Sequence, residues 1–228
     1  MTPPPFLRLN KKMSDKEKKD LQISWSNIFR SRDTIHKRYN SIWKVPVLRK
    51  RLELVKSLMN DGARVLDVGA GDSEWGRRLQ RFFANVTFKT VDVDPDLKPD
   101  YRSMHEVQNG FNLIISWEVI EHLNLDEGEE LIKECARVLC PGANLVISTP
   151  NIFNPSCYLM DSTHRTPYSY EELGGLCLRA GLEVQEIYRT YNASKLKFFL
   201  KRTFLAPLHR LMGMDYTKSI IVVAKKGA

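Results

Sequence analysis

A glycine-rich turn carries the clearest chemical signal in this sequence. Asp67 lies near the end of an apolar run, Gly69, Ala70 and Gly71 follow it, and Asp92 closes the next apolar run. Glycines permit a tight turn and a close backbone approach to a ligand, and an acid after the second strand can accept hydrogen bonds from ribose hydroxyls. The pattern indicates a site for an adenosine-containing ligand. The alternative is that Asp92 belongs to a solvated turn.

The charge around this turn argues against a pyrophosphate ligand. A dinucleotide fingerprint requires glycine at position 74, where this chain has Glu74, and Asp72 adds a second carboxylate. Two unit charges about 4 Å apart repel by roughly 4 kcal/mol at an effective dielectric constant near 20. We therefore expect a ligand with a positive centre and no phosphate, with Asp67 pairing to its ammonium group. A nicotinamide oxidoreductase is disfavoured for the same reason.

Two histidines follow later apolar runs and are candidate acceptor-side groups. His122 comes after the run 111–116, and His164 lies in a polar stretch after the run 143–148. A positioned base of this kind typically accelerates a reaction 10²–10⁴-fold. Arg165, beside His164, could hold an anionic substrate. The alternatives are that His122 only orients its loop and that His164 is an ordinary surface residue.

Short apolar runs alternate with helical patterns from Ala63 onward, which indicates an α/β sheet of mainly parallel strands. We predict strands over 64–68, 86–93, 111–116, 143–148, 182–187 and 219–224, and helices over 47–59, 73–83, around 131–139 and after the capping box Ser169-x-x-Glu172. Carboxyl ends of parallel strands share one edge of a sheet, so the glycine turn and the polar residues after later strands should meet there.

Four segments resemble a known family in their order and spacing. VLDVGAGDS, VDVDPD, FNLIISWEVIEHL and ARVLCPGANLVISTPN are similar to motifs of the class I S-adenosylmethionine-dependent methyltransferases. The resemblance covers about residues 63–189, and SIIVVA at 219–224 looks like the family's reversed last strand. It implies a Rossmann-like, mainly parallel sheet of seven strands with a reversed last strand and helices on both faces.

The resemblance also implies S-adenosyl-L-methionine as the cofactor and a set of residues that bind it. The turn around Asp67 would hold the methionine part, Asp92 the ribose and Val93 the adenine, while residues after the fourth strand would line the methyl-transfer site. The implied cofactor-binding residues are Asp67, Gly69, Ala70, Gly71, Asp92, Val93, Ser116, Trp117 and Glu118. Glu118, Glu121 and His122 match an E-x-x-E-H variant of the segment after that strand.

The chain departs from the family pattern in two places. Ser73 replaces the third glycine of the turn. The span between Asp92 and Phe111 is too short for a strand and its adenine-contacting acid to be placed easily, and Asp100 is the only further acid late enough to be considered.

The two ends of the chain are basic, whereas the body is acidic. Formal charges are +10 over residues 1–60, −9 over 61–194 and +7 over 195–228. We predict a disordered basic tail at 1–20, an N-terminal helical cap at 21–62 and a methyltransferase domain at 63–228 with a basic amphipathic insertion at 195–213. Such an insertion can lie on an anionic membrane or pack on the body as a lid. For the N-terminal segment, a packed helical cap is favoured over a surface that binds nucleic acid.

Cysteine spacing and hydropathy indicate a reducing compartment. The four cysteines have neither C-x-x-C spacing nor a matching histidine pair, so the sequence predicts no metal site. No secretory signal or 18-residue apolar run is present in the sequence. We expect a cytoplasmic protein, with peripheral membrane association as a further possibility.

The resulting prediction is a methyltransferase acting on an oxygen or nitrogen of a small-molecule, lipid-linked or sugar-linked acceptor. Two alternatives are an RNA methyltransferase and a non-catalytic scaffold that binds the cofactor. The residues Ser116-Trp117-Glu118-Val119 differ from the N-P-P-Y type of segment found in base-nitrogen methyltransferases, which leaves ribose oxygens as the RNA target.

Overall fold

The computed structural model describes residues 25–72, 74–191, 200, 203–204 and 206–228. The predicted tail at 1–20 lies outside the described residues. So do Ser73 and, within the predicted amphipathic insertion, residues 195–199, 201–202 and 205.

Seven strands of the described residues form one sheet in the order β1-β6-β7-β5-β4-β2-β3. Their bounds are β1 Val47–Leu48, β2 Arg64–Val68, β3 Thr87–Val91, β4 Phe111–Ser116, β5 Leu139–Pro150, β6 Leu182–Thr190 and β7 Ser219–Lys226. Strand β7 pairs antiparallel with both β5 and β6, and the other pairs are parallel. The predicted fold class, a mainly parallel sheet with a reversed last strand, is confirmed.

Helices lie on both faces of the sheet. They are α1 Trp25–Tyr39, α2 Arg51–Ser57, α3 Glu74–Leu79, α4 Leu125–Val138, α5 Pro155–Leu159, α6 Tyr170–Arg179 and α7 Ala206–Leu211. The predicted capping box begins α6: the Ser169 hydroxyl accepts from the Glu172 N–H at 3.1 Å, and the Glu172 carboxylate accepts from the Ser169 N–H at 3.0 Å.

Alternating residues of each strand send side chains into two separate cores, as the pleat of a strand requires. Leu66 and Ile114 face the core beneath α1, α4 and α6. Val65 and Ile115 face the core beneath α2 and α3. Burial on both faces explains why β2 and β4 read as nearly continuous apolar runs.

Strand β1 completes the seven strands and was not predicted. It occupies the first residues of the predicted helix over 47–59, so that prediction was wrong at its start. Pro46 accepts a hydrogen bond from the Arg189 N–H at 2.9 Å, and Val47 then pairs with Arg189 at the edge of β6. The helix begins only at Arg51. Part of the range predicted as a separate helical cap thus belongs to the sheet, and the division into domains stays a prediction.

The opposite edge of the sheet explains why no strand was found between Asp92 and Phe111. Tyr101 makes one isolated parallel bridge to Val91. The carboxylate of Asp100 accepts hydrogen bonds from the backbone and hydroxyl of Thr90 at 2.9 and 3.1 Å and from Lys89 Nζ at 2.6 Å. Asp100 therefore ties this loop to β3, and its oxygens are engaged there.

In the described part of the chain, no helix is both long and apolar enough to cross a bilayer.

Candidate functional site

The turn after β2 brings its backbone against the segment that follows β4. Gly69 has φ +72°, and its N–H donates to the Val91 carbonyl at 2.8 Å. A Cβ built on Gly69 would overlap the Cγ2 of Val119. Position 69 therefore needs glycine for two reasons, its left-handed backbone and the close approach of Val119.

Replacing Gly69 with Ala is expected to destabilise the protein by about 2–4 kcal/mol, because left-handed strain adds to a steric clash in the core. Gly62 is a matched control: it has φ +76°, and no described atom lies within 4 Å of the position that a Cβ would take there. Gly62→Ala should cost only about 1 kcal/mol, the strain alone. Urea denaturation measures both, and equal losses would contradict the close packing of Gly69 and Val119.

Asp92 lies at the end of β3 facing this turn. Its Oδ2 accepts from the Gly71 N–H at 2.9 Å and its Oδ1 accepts from the Asp94 N–H at 3.0 Å. A carboxylate has about four acceptor positions, so each oxygen keeps one for a further donor. Two neighbouring hydroxyls of a ribose would use them.

An apolar cavity opens between Asp92 and the turn. It is lined by Val68, Gly69, Val91, Asp92, Val93, Met104, Val119 and Leu131. Of the residues predicted from the sequence, Gly69, Asp92 and Val93 line it. Met104, Val119 and Leu131 were missed, since each lies in a turn or helix whose apolar residues look like ordinary core.

Asp67 is a buried carboxylate, and one of its oxygens has no hydrogen-bond partner among the described residues. Its side chain is 2% exposed, and its Oδ2 accepts no hydrogen bond from the described residues. Burial, assisted by the charges of Asp92 and Asp72, raises the pKa of Asp67 to about 7. A cationic ligand would supply the missing partner. A small apolar cavity, an acid with free acceptor positions and a buried carboxylate are the features that S-adenosylmethionine would use here.

The acids in the adjoining helix argue less strongly against a pyrophosphate than the sequence suggested. Asp72 lies 3.5 Å from Arg77, and Glu74 lies 2.5 Å from Arg78. Both carboxylates are thus partly neutralised by arginines of α3.

Residues after β4 form the wall beside this site. Trp117 stacks on Trp75 with ring centroids 5.0 Å apart, and the Arg51 guanidinium lies 5.1 Å from the Trp117 ring. Glu118 has φ +52° and accepts from the Ser148 hydroxyl at 2.6 Å. Arg51 and Trp75 were not predicted as site residues, because the pattern of a helix does not show which of its residues face this wall.

The other predicted cofactor residues, Ala70 and Ser116, lie at the same strand ends. Ala70 follows Gly69, and the Ser116 side chain is fully buried with a hydroxyl that has no partner among the described residues. The cofactor roles of Ala70, Ser116, Trp117 and Glu118 stay predictions.

The two predicted catalytic histidines are neighbours. The ring centroids of His122 and His164 are 4.9 Å apart. The loop carrying His164 is tied down by the Glu121 carbonyl, which accepts from the backbone N–H groups of Arg165 and Thr166 at 2.8 and 3.1 Å. The side chain of His164 is 7% exposed, so it is not an ordinary surface residue.

The hydrogen bonds of both imidazoles fix which ring nitrogen carries a proton. His164 Nδ1 donates to the Tyr158 carbonyl at 2.7 Å. His122 Nδ1 lies 2.9 Å from the Thr163 hydroxyl, which itself donates to Asp161 at 2.6 Å, so His122 must donate. In the neutral form, each Nε2 therefore presents a lone pair.

Glu121 completes a cluster of electron-pair donors. It is fully buried, neither of its oxygens accepts a hydrogen bond from the described residues, and burial raises its pKa to about 8. Donor atoms of Glu121, His122 and His164 all lie within 4.8 Å of one another. Such a cluster is stabilised by a proton or by a divalent cation, and imidazole with carboxylate suits a first-row transition metal.

This cluster was not predicted from the sequence, because it has neither cysteines nor a closely spaced histidine pair. The adjacent residues Glu121 and His122 were the one local sign of the cluster in the sequence. The third member, His164, lies in a loop far along the chain. The predicted substrate anchor Arg165 is exposed next to the cluster, and its role stays a prediction.

Comparison with known proteins gives a family match and partial relatives. A family model described as a methyltransferase domain matches residues 39–187. The chain is similar to the ubiquinone biosynthesis O-methyltransferase of Xanthomonas oryzae pv. oryzae, with 31% identity over 121 residues and with coverage of 44% of this chain and 49% of that protein. This chain therefore spans about half the length of the curated relatives it matches.

Solved structures resemble the whole fold. A SAM-dependent methyltransferase from Archaeoglobus fulgidus has a TM-score of 0.61 and 16% identity, over 89% of this chain and 100% of that one. Phosphoethanolamine N-methyltransferase 2 of Haemonchus contortus, in complex with S-adenosyl-L-methionine, has a TM-score of 0.55 and 17% identity, over 78% of this chain and 52% of that one. At such identities the likeness shows the fold alone.

Proposed function

Since this chain belongs to the methyltransferase-domain family, we propose that it transfers a methyl group from S-adenosylmethionine to an oxygen atom of a small-molecule acceptor. The observation that carries the choice of oxygen is the cluster of Glu121, His122 and His164. A hydroxyl must lose its proton to become a good nucleophile, whereas a neutral amine already has a free electron pair. The name of the Xanthomonas relative, an O-methyltransferase, supports the same choice.

Positioning is the main contribution of this chain to the reaction. S-adenosylmethionine, when bound, supplies a methyl group on a positively charged sulfur. Asp67 would hold the ammonium group and Asp92 the ribose, so that the reacting carbon is presented beyond the end of β4. Holding two reactants in line is worth up to about 7–11 kcal/mol in favourable cases.

The histidine cluster would act on the acceptor hydroxyl. His164 Nε2 has the free electron pair that a general base needs, while the carbonyl of Tyr158 fixes its ring. A divalent cation bound between Glu121, His122 and His164 would favour the deprotonated hydroxyl in another way. In both cases the proton leaves the acceptor oxygen before or as the methyl group arrives.

The remaining predictions concern partners and location. A lipid-linked or sugar-linked acceptor, methylation of nitrogen, an RNA substrate, a cytoplasmic location and contact with an anionic membrane stay predictions. Within the predicted insertion, Phe204 and Leu208 are exposed apolar side chains that a membrane or a lipid-linked acceptor could cover.

Calorimetric titration with S-adenosylhomocysteine is the direct test of the cofactor site. We expect saturable binding, and Asp92→Ala should weaken it about tenfold or more, because two hydroxyls lose a charged acceptor. Asp96→Ala, which removes an exposed carboxylate from the following turn, is the matched control and should leave the affinity unchanged. Wild-type protein that gives no heat would refute the proposed function.

An acceptor panel then separates oxygen from nitrogen transfer and both from a non-catalytic scaffold. Phenols and catechols are compared with amines of similar size, using tritium transferred from labelled S-adenosylmethionine as the readout. Turnover restricted to hydroxyl acceptors is expected. Transfer to amines alone would show that nitrogen, not oxygen, is the atom methylated. Cofactor binding without any transfer would favour the non-catalytic scaffold.

A further inference from the structure

A large basic cavity lies beside the proposed methyl-transfer site. Its volume is about 600 Å³, and it opens where β1 and β6 end and β7 begins. Its lining includes Lys50, Arg51, Trp75, Thr190, Lys218 and Ser219. It is therefore on the edge of the sheet where ligands of open α/β folds bind.

The lining of this cavity has an excess of positive charge, although two of its arginines already lie 2.5 and 3.7 Å from carboxylates outside it. Five of its residues are lysine or arginine, and Glu53 is the only acid among them. Glu53 is already 3.4 Å from Lys56, outside the lining. Lys50 and Lys218 form no ion pair with a carboxylate of the described residues. A cavity lined by one sign of charge concentrates ligands of the other sign.

The cavity shares a wall with the methyl-transfer site. Trp75 lines the cavity and stacks on Trp117 at 5.0 Å. Arg51 is also in the lining. Its guanidinium lies 5.1 Å from the centre of the Trp117 ring and 3.7 Å from the Glu118 carboxylate. Its guanidinium donates to the Ser219 hydroxyl at 2.9 Å, which holds it at the cavity floor. A molecule with one end in the cavity would have its other end near the segment after β4.

We propose that the acceptor carries a phosphate group and that Lys50, Arg51 and Lys218 bind it in this cavity. The inference rests on the function proposed above, because it identifies the cavity as part of the acceptor site. Phosphate is the matching chemistry: its oxygens accept from the planar fork of an arginine and from the point charges of lysines. The hydroxyl of Ser219 supplies an uncharged donor at the same place.

The test uses the tryptophan pair at the cavity wall as its reporter. The whole protein is saturated with S-adenosylhomocysteine and titrated with inorganic phosphate at constant ionic strength, while tryptophan fluorescence is recorded. The double variant Lys50→Gln/Lys218→Gln removes two charges from the cavity. Lys133→Gln/Lys225→Gln removes the same charge from α4 and from the far end of β7, and is the control.

We expect a saturable fluorescence change in the wild type and in the control, with affinities within about twofold of each other. In the cavity variant the affinity for phosphate should fall about tenfold or more, because charged contacts to the anion are lost. An equal loss in both double variants would show a general effect of net charge, and no loss in the cavity variant would show binding elsewhere. Either result, or a wild type that does not respond, overturns the proposal.

A second arm distinguishes a soluble phosphorylated acceptor from a phospholipid headgroup. Vesicles of phosphatidylcholine are compared with vesicles that also contain phosphatidylglycerol. A response to inorganic phosphate alone supports a soluble acceptor, and one to phosphatidylglycerol vesicles that requires Lys50 and Lys218 supports a headgroup. S-adenosylhomocysteine affinity is measured on the wild type and on every variant; no binding by the wild type would refute the proposed function, whereas normal affinity without any phosphate response refutes only this inference.

Discussion

Replacing Glu121 with Gln is expected to lower methyl transfer to a hydroxyl acceptor by about 10²–10⁴-fold, the usual contribution of acid–base or cation assistance. Glutamine keeps the shape of the side chain but cannot ionise, so it can neither stabilise the charge of a protonated His164, whose Nε2 lies 4.0 Å from Glu121, nor bind a cation. Because burial raises the pKa of Glu121 to about 8, the folded protein already tolerates a neutral group at this position. The variant should therefore fold and bind S-adenosylhomocysteine normally.

His164→Ala should produce a loss of similar size, and two controls make the comparison specific. Glu130→Gln changes a carboxylate on the neighbouring helix α4, and His36→Ala removes a half-exposed imidazole on α1. Both should retain wild-type turnover with the same acceptor. Unchanged turnover in Glu121→Gln and His164→Ala would remove this cluster from the reaction.

Removal of divalent cations distinguishes the two ways in which the cluster can act. Wild-type protein is treated with a chelator, passed over a desalting column and assayed with and without added Zn²⁺ or Mn²⁺. Loss of turnover that a cation restores, but not in Glu121→Gln, identifies a metal site. Full turnover after chelation identifies His164 as a base that needs no metal.

Local patterns predicted the central strands closely, because their signals are contained in a few consecutive residues. The bounds of β2 and β4 match the predicted apolar runs, since both faces of these strands are buried. The capping box at Ser169 likewise marked the start of α6, because its two hydrogen bonds join residues only three apart. The family resemblance, which depends on these same segments, is confirmed.

Features that depend on distant contacts could not be predicted in this way. Strand β1 has two residues, too few to show any period, and it is defined by pairing with β6. His122 and His164 were each predicted as candidates, but their proximity depends on backbone hydrogen bonds to the Glu121 carbonyl. Backbone hydrogen bonds do not depend on the identity of the side chain, so residue types do not reveal them. The sequence therefore predicted the two histidines of the cluster, but neither their proximity nor a part for Glu121.

The same distinction explains why the cofactor half of the site was easier to predict than the acceptor half. Asp67, Gly69 and Asp92 each lie at a strand end or in the turn that follows it, so the topology of the sheet brings them together. The proposed acceptor half combines a loop after β5 with side chains of α2 and of the start of β7. Its geometry comes from packing between elements far apart in the chain, which allows many acceptors on one fold.

Asp67→Asn is expected to weaken S-adenosylhomocysteine binding about 100-fold at pH 8, because a desolvated ammonium loses its charged partner. The wild-type affinity should rise with pH and level off above about pH 7, because the pKa of Asp67 lies near 7 and only the carboxylate binds a cation. The variant should lack this pH dependence. Asp96→Asn, on an exposed turn, is the control and should behave as wild type.

The same substitution should stabilise the ligand-free protein. The pKa of Asp67 is raised in the folded state from 3.8 to about 7, so the folded state holds the proton more tightly and stability falls as pH rises through this range. Asparagine abolishes the effect. The free energy of unfolding in urea should therefore exceed that of wild type at pH 8 by up to about 4 kcal/mol, at 1.36 kcal/mol per pKa unit, and by less at pH 5. A variant that is less stable than wild type at pH 8 would show that Asp67 has a stabilising partner in the folded protein, and that the carboxylate is not reserved for a cationic ligand.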